Sequence, residues 1–169
     1  VLKYILRYMA ANKAYLVSTA AIMAFCVYIA WSTSGMGLKN SSIMAMALLS
    51  VNTPLAVIVS SSRTLKKKLC SMPDQFRGFY LPYGTVLFTF YILSYSVFLL
   101  ILHFINMEIK WVHFLAAVLF ALQASVITVF LEEKHTLTNW RTEPDLWHNP
   151  RKYIIPVILA AESMIFQLL

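Results

Sequence analysis

Apolar residues fall along this chain in five long runs, 15–31, 43–60, 81–105, 111–131 and 153–169, and none of the five contains Lys, Arg or Asp. A helix rises about 1.5 Å per residue, so about 20 residues cross a hydrocarbon core of about 30 Å. Runs of this length predict an all-α, polytopic membrane protein: five transmembrane helices in a single transmembrane domain over 1–169. The first run is too long for a signal peptide, lacks a small-residue cleavage pattern and is followed by four more spans. Two short connections alternate with two long polar ones, 61–80 and 132–152.

Composition agrees with the pattern. Of the 169 residues, 60% are apolar and only 12% charged, and the mean hydropathy is +0.70. A soluble globule carries about a quarter charged residues, so a disordered or polar binding module is excluded. The net charge of +7 on such a chain is a topology signal rather than a nucleic-acid footprint. All but Lys39 and Lys110 of the 14 Lys and Arg fall before the first run, in 61–80 or in 132–152. The positive-inside rule therefore puts the N-terminus and both long connections in the cytoplasm. It puts the end of the fifth run outside, where Leu169 has no polar flank after it, and a further helix is expected to be missing there. The two cysteines, Cys26 in a span and Cys70 in a connection, imply neither a disulfide framework nor a zinc site, and no metal ligand set is expected.

The first cytoplasmic connection is amphipathic. Leu65, Leu69, Met72 and Phe76 recur at helical spacing while Arg63, Lys66 and Lys67 lie roughly opposite. Pro73 suits the first turn of a new helix, so the spacing predicts a short helix, an elbow at 71–73, and a second short helix leading to Pro82. Such a segment can rest on anionic membrane lipids. It can also dock a cytoplasmic protein, with Leu69, Met72 and Pro73 filling a groove and the cations setting orientation.

A leading basic amphipathic segment (Leu2-Lys3-Tyr4-Ile5-Leu6-Arg7-Tyr8), two spans, the Leu69-Cys70-Ser71-Met72-Pro73 elbow and a closely coupled pair of spans together resemble the permease subunits of ABC-2 type exporters. The polar stretch 139–152 looks like the one before the fifth span in permeases of Gram-positive bacteria, some of which export peptides or confer resistance to them. The resemblance implies a multi-pass protein of the bacterial cell membrane with six spans, where five are visible. It implies a translocation path shared with a second permease copy or paralogue, and cargo such as amphipathic peptides or other hydrophobic compounds. It also implies coupling through Arg63, Leu65, Lys66, Lys67, Leu69, Ser71, Met72, Pro73 and Phe76 to a separate ABC ATPase subunit holding ATP and Mg. The chain itself has no Gly-x-x-x-x-Gly-Lys-Ser/Thr loop and only 4 glycines, so no cofactor is expected in it. The alternative is a non-transport membrane protein, an immunity or sensor protein that binds a cytosolic or lipid partner through the same basic loop.

Polar residues inside the runs are the remaining candidates. Glu162, flanked by Ala160, Ala161 and Ser163, is a pathway or helix-interface residue, because small neighbours permit close helix approach. Asn52 and Gln123 can bridge helices, and Pro54 would kink the second span. His103 and His113 read as interfacial, and Trp140 and Trp147 as headgroup-level anchors. An enzyme would need a nucleophile with its base or a ligand set such as His-Glu-x-x-His. Cys70 with His135 is the one conceivable dyad, and no catalytic residue is assigned.

Overall fold

The computed structural model describes residues 2–11, 13–34, 41–51, 56–71, 73–137 and 149–166. These residues are predominantly helical, with no strand among them. Helix α1 (Leu2–Ala11) is followed by α2 (Lys13–Ser34), α3 (Ser41–Leu49), α4 (Ile58–Ser61) and α5 (Arg63–Cys70). A π-helical turn (Phe76–Tyr80) runs directly into α6 (Leu81–Phe104), followed by α7 (Trp111–Lys134), a 3-10 turn (Pro150–Tyr153) and α8 (Ile154–Phe166).

Among the described residues, three segments are long and apolar enough to cross a membrane: Val17–Ser34, Phe76–Phe104 and Trp111–Lys134. The chain is therefore an all-helical membrane protein. The second apolar run departs from expectation, since it is not one helix. Helix α3 ends at Leu49, where the Ser50 amide turns back to the Ala47 carbonyl at 3.2 Å and the Ser50 hydroxyl takes the same carbonyl at 2.7 Å. Such side-chain competition for backbone carbonyls unwinds helix ends. Asn52 and Pro54 lie outside the described residues, and helical structure resumes in α4. The fifth run gives α8 of 13 residues, about 20 Å long, so this helix by itself falls short of the crossing length.

The hairpin of α6 and α7 is the most extensive helix pair. Helix α6 turns Tyr83, Leu87, Tyr91, Ser94, Phe98 and Leu102 inward, a spacing of three and four that keeps them on one face. Helix α7 answers with Ala117, Ala121, Ala124 and Thr128. Large side chains on one helix against small ones on the other bring the two backbones close, the arrangement that membrane helices use where lipid cannot drive association. The two helices come close at Gly84, where an added Cβ would sit 3.2 Å from Val129 Cγ2. The hairpin turns at Asn106, whose φ of 60° suits Asn better than any branched residue. The Met107 amide reaches the Leu102 carbonyl at 3.1 Å and the Asn106 amide reaches that of His103 at 3.0 Å, a Schellman end to α6.

The π-helical turn has a local cause. Pro82 lacks an N–H and its ring crowds the carbonyl four residues back, and one residue earlier the Leu81 amide bonds to Phe76, five residues back. The extra residue absorbs the clash without interrupting the helix. The expected second short helix and the third span are thus one continuous element.

The remaining helices surround the hairpin. Helix α3 packs against both α2 and α8, and α1 lies on α6 with Ile5 buried and Lys3, Tyr4 and Arg7 outward. Antiparallel register brings α1, α5, the start of α6, the end of α7 and the start of α8 to one end of the molecule, the basic end.

Gly84→Leu is expected to lower stability by about 1–3 kcal/mol, the usual effect of overpacking, and adding Val129→Ala should recover part of the loss. Gly78→Ala, with nothing within 4 Å of the new Cβ, serves as the neutral control. Thermal unfolding in detergent measures all three.

Candidate functional site

The predicted elbow is present, with a changed face. Ser62 caps α5, its hydroxyl accepting from the Leu65 amide at 3.3 Å, and Lys67 and Lys68 occupy the last turn, where cations complement the helix dipole. Ser71 closes the helix by donating its hydroxyl to the Lys68 carbonyl at 2.7 Å. Leu69, expected as a docking knob, is only 2% exposed and belongs to the core cluster with Phe79 and Tyr80. Burial of Leu69 turns this side of α5 toward the core. Leu65 and Lys66 are half-buried, while Lys67, Ser71, Pro73 and Phe76 are exposed. Met72 and the side chain of Arg63 lie outside the described residues. The surface offered to solvent is therefore polar and cationic, with Phe76, 52% exposed, as its apolar tip.

A cluster that the hydropathy pattern did not single out lies behind the elbow. Helix α7 runs past Leu131 to Lys134, which carries Glu132 out of the expected loop and into the helix, fully buried. One oxygen, Oε2, accepts the amides of Val59 at 2.8 Å and Ser60 at 2.9 Å. The other, Oε1, accepts the Ser60 hydroxyl at 2.6 Å and Arg151 Nη2 at 2.9 Å. Arg151 also donates to the His135 carbonyl at 2.7 Å, and the Leu137 amide donates to Ser60 Oγ at 3.0 Å. Helix α4 begins where the second apolar run resumes, so its first amides have no partner within the helix. The Glu132 carboxylate supplies that partner, and Arg151 balances its charge. Glu132 continues the row Ala124, Thr128 on the inward face of α7, four residues apart each time. That spacing was the available signal, obscured by cutting the helix at the last apolar residue.

Gln123 and Glu162, each expected as a bridge or interface residue, meet one another: Gln123 Nε2 donates to Glu162 Oε1 at 3.0 Å. Gln123 stands at the middle of the 24-residue α7, so the bond ties α7 to α8 at mid-depth. Interhelical bonds of this kind contribute about 0.6–1.7 kcal/mol in membranes. Asn52 lies outside the described residues. His113, in the first turn of α7, is buried, 3% exposed. Its Nδ1 lies 3.1 Å from both the amide and the carbonyl of Lys110, and its Nε2 hydrogen-bonds Ser42 Oγ at 2.7 Å. This bond holds α3 to the start of α7.

The conceivable Cys70–His135 dyad is not assembled. Cys70 is exposed at the end of α5, and the His135 ring packs edge-on against Phe130 with centroids 6.2 Å apart. Among the described residues, no three of His, Cys, Asp and Glu lie together as a metal site. Trp140, Trp147 and the rest of 138–148 fall outside the described residues.

Comparison of the chain with protein-family models, with curated proteins and with solved structures gave no match.

Removing one member of a buried ion pair costs about 3–5 kcal/mol. Glu132→Gln and Arg151→Met are each expected to destabilise the protein by about that much, and the double variant by clearly less than their sum. Additive losses in thermal unfolding would show the pair to be uncoupled.

Proposed function

We propose that the chain is a permease subunit of an ATP-driven exporter of the ABC-2 type. It lies in the bacterial cell membrane with its N-terminus and its basic end in the cytoplasm. All five apolar runs cross the bilayer, the second as a broken span made of α3 and α4. The translocation path is shared with a second permease copy or paralogue, and ATP hydrolysis belongs to a separate nucleotide-binding subunit. Amphipathic peptides or other hydrophobic compounds are the cargo.

One observation carries the reading: the exposed elbow is fastened to two long helices at once. Through Leu69 it is anchored in the apolar core that also holds Phe79 and Tyr80, and the π-helical turn passes into α6 without a break. Through α4 it is tied to α7 by the Glu132 bonds. A push on Lys67, Lys68, Pro73 and Phe76 would reach the α6–α7 hairpin as a rigid-body displacement, the motion a coupling element must transmit. The cation bias of this end supports the cytoplasmic assignment, and a broken span is tolerated where other helices satisfy its backbone, as Glu132 does here. The Gln123–Glu162 pair supports a polar station at mid-depth of a path.

Purification from native membranes should bring down a protein that carries a phosphate-binding loop and hydrolyses ATP. Lys67→Glu with Lys68→Glu should release it while the permease stays folded, since both residues are exposed. Retention of the ATPase by that variant would remove the elbow from the coupling role, and a captured partner without ATPase activity would favour the immunity or sensor alternative. Glu162→Gln is expected to reduce export severalfold while assembly survives; unchanged export would leave Glu162 a structural residue.

A further inference from the structure

Helices α6 and α7 bury one face against each other and leave a groove of about 450 Å³ along the opposite side of their seam. Gly84, Thr85 and Ser125 line it with small side chains, and Phe76, Phe88 and Phe130 stand around it. The hydroxyls in its floor are already used: Thr85 donates to the Pro82 carbonyl at 2.8 Å and Ser125 to that of Leu122 at 2.8 Å. The groove therefore offers a mostly apolar surface, with Tyr80 and Glu133 as further polar residues at its basic end. Leu81, Leu122, Val126 and Phe130, each between 52% and 59% exposed, continue that surface outward.

Length and charge identify an occupant. One wall runs from Phe76 to Phe88 and the other from Leu122 to Glu133, each about 17–18 Å at the helical rise. That is close to one leaflet of a hydrocarbon core of about 30 Å. The Gly84–Val129 contact fixes the register, so both walls begin at the basic end and stop near mid-depth. Each wall also ends in a cation. Arg77 continues the row Leu81, Thr85 on α6, and Lys134 continues the row Leu122, Val126, Phe130 on α7, four residues apart throughout. Arg77 is exposed and makes no ion pair among the described residues. Lys134, 59% exposed, faces Glu133 at 3.6 Å, a surface pair weak enough to yield to a stronger anion.

We propose that this groove is a binding site for one anionic phospholipid of the leaflet at the basic end. An acyl chain lies along the Gly84–Ser125 floor and the phosphate rests between Arg77 and Lys134. The proposal rests on α6 and α7 spanning the membrane and not on the exporter reading. Anionic rather than zwitterionic lipid follows from the cation surplus of this end, where Arg77, Lys134 and the exposed Lys67 and Lys68 outnumber Glu133 and Asp74, whose carboxylate accepts the Arg77 amide at 3.3 Å.

The test uses the purified chain in detergent and native mass spectrometry, titrating phosphatidylglycerol against phosphatidylcholine with the same acyl chains. The wild type should retain one phosphatidylglycerol per chain in preference to phosphatidylcholine. Arg77→Gln with Lys134→Gln should weaken phosphatidylglycerol by roughly tenfold and erase the preference. Val126→Trp, at an exposed wall position, should displace both lipids, and Thr85→Trp from the other wall should repeat that result. Equal retention of the two lipids by the wild type, or full retention by the tryptophan variants, would overturn the proposal. So would efficient disulfide formation between copies of a Val126→Cys variant in membranes, which would mean that a helix fills the groove.

Discussion

A backbone that leaves the helical path among apolar helices must find partners for its amides, because hydrocarbon offers none. The second apolar run does so after Leu49, and everything on the basic side of the molecule is arranged around that break. Glu132 gives its whole carboxylate to the task, with two amides on one oxygen and a hydroxyl and a guanidinium on the other. An uncompensated charge so deeply buried would be prohibitive, and Arg151 at 11% exposure removes that difficulty. The same guanidinium bonds the His135 carbonyl just beyond the end of α7. One carboxylate thus joins α4, α7 and the turn that leads into α8.

The hairpin of α6 and α7 makes this economy possible. Its seam, aromatic on α6 and small on α7, fixes the rotation of α7 about its own axis. Once Ala117, Ala121 and Ala124 face inward, helical periodicity leaves Thr128 and Glu132 no other direction. The polar cluster follows from the packing of apolar residues two and three turns away. The π-helical turn at the start of α6 extends the hairpin as a continuous rod toward the elbow.

Much of this was legible in the residues. The apolar runs located α2, α6, α7 and α8, and the alternation of Leu65, Leu69 and Phe76 with cations located the amphipathic element. Its burial was read backwards at Leu69, because periodicity says which residues share a face and not which neighbour covers it. The end of α3 at Leu49 was not read from the second apolar run, where only a kink at Pro54 in a continuous helix was expected. Glu162 and Gln123 were each singled out as interface residues, yet their pairing depends on the relative height of α7 and α8, which no spacing within either helix encodes. Glu132 was missed for a related reason: a charged residue beyond an apolar run looks like loop, and its partners lie 72 and 73 positions away in sequence.

Three polar contacts at three depths all converge on α7. His113 holds α3 through Ser42 near one end, Gln123 holds α8 through Glu162 at the centre, and Glu132 holds α4 through Ser60 at the basic end. Each is directional, so α3, α4 and α8 cannot slide or rotate against α7 without losing a specific bond, whereas apolar packing alone tolerates small shifts. Helix α2 meets the others through Cys26 and Ala30, small and buried, while Val17, Phe25, Tyr28 and Trp31 stay exposed. A displacement delivered at the elbow would therefore move α3, α4, α6, α7 and α8 as one body.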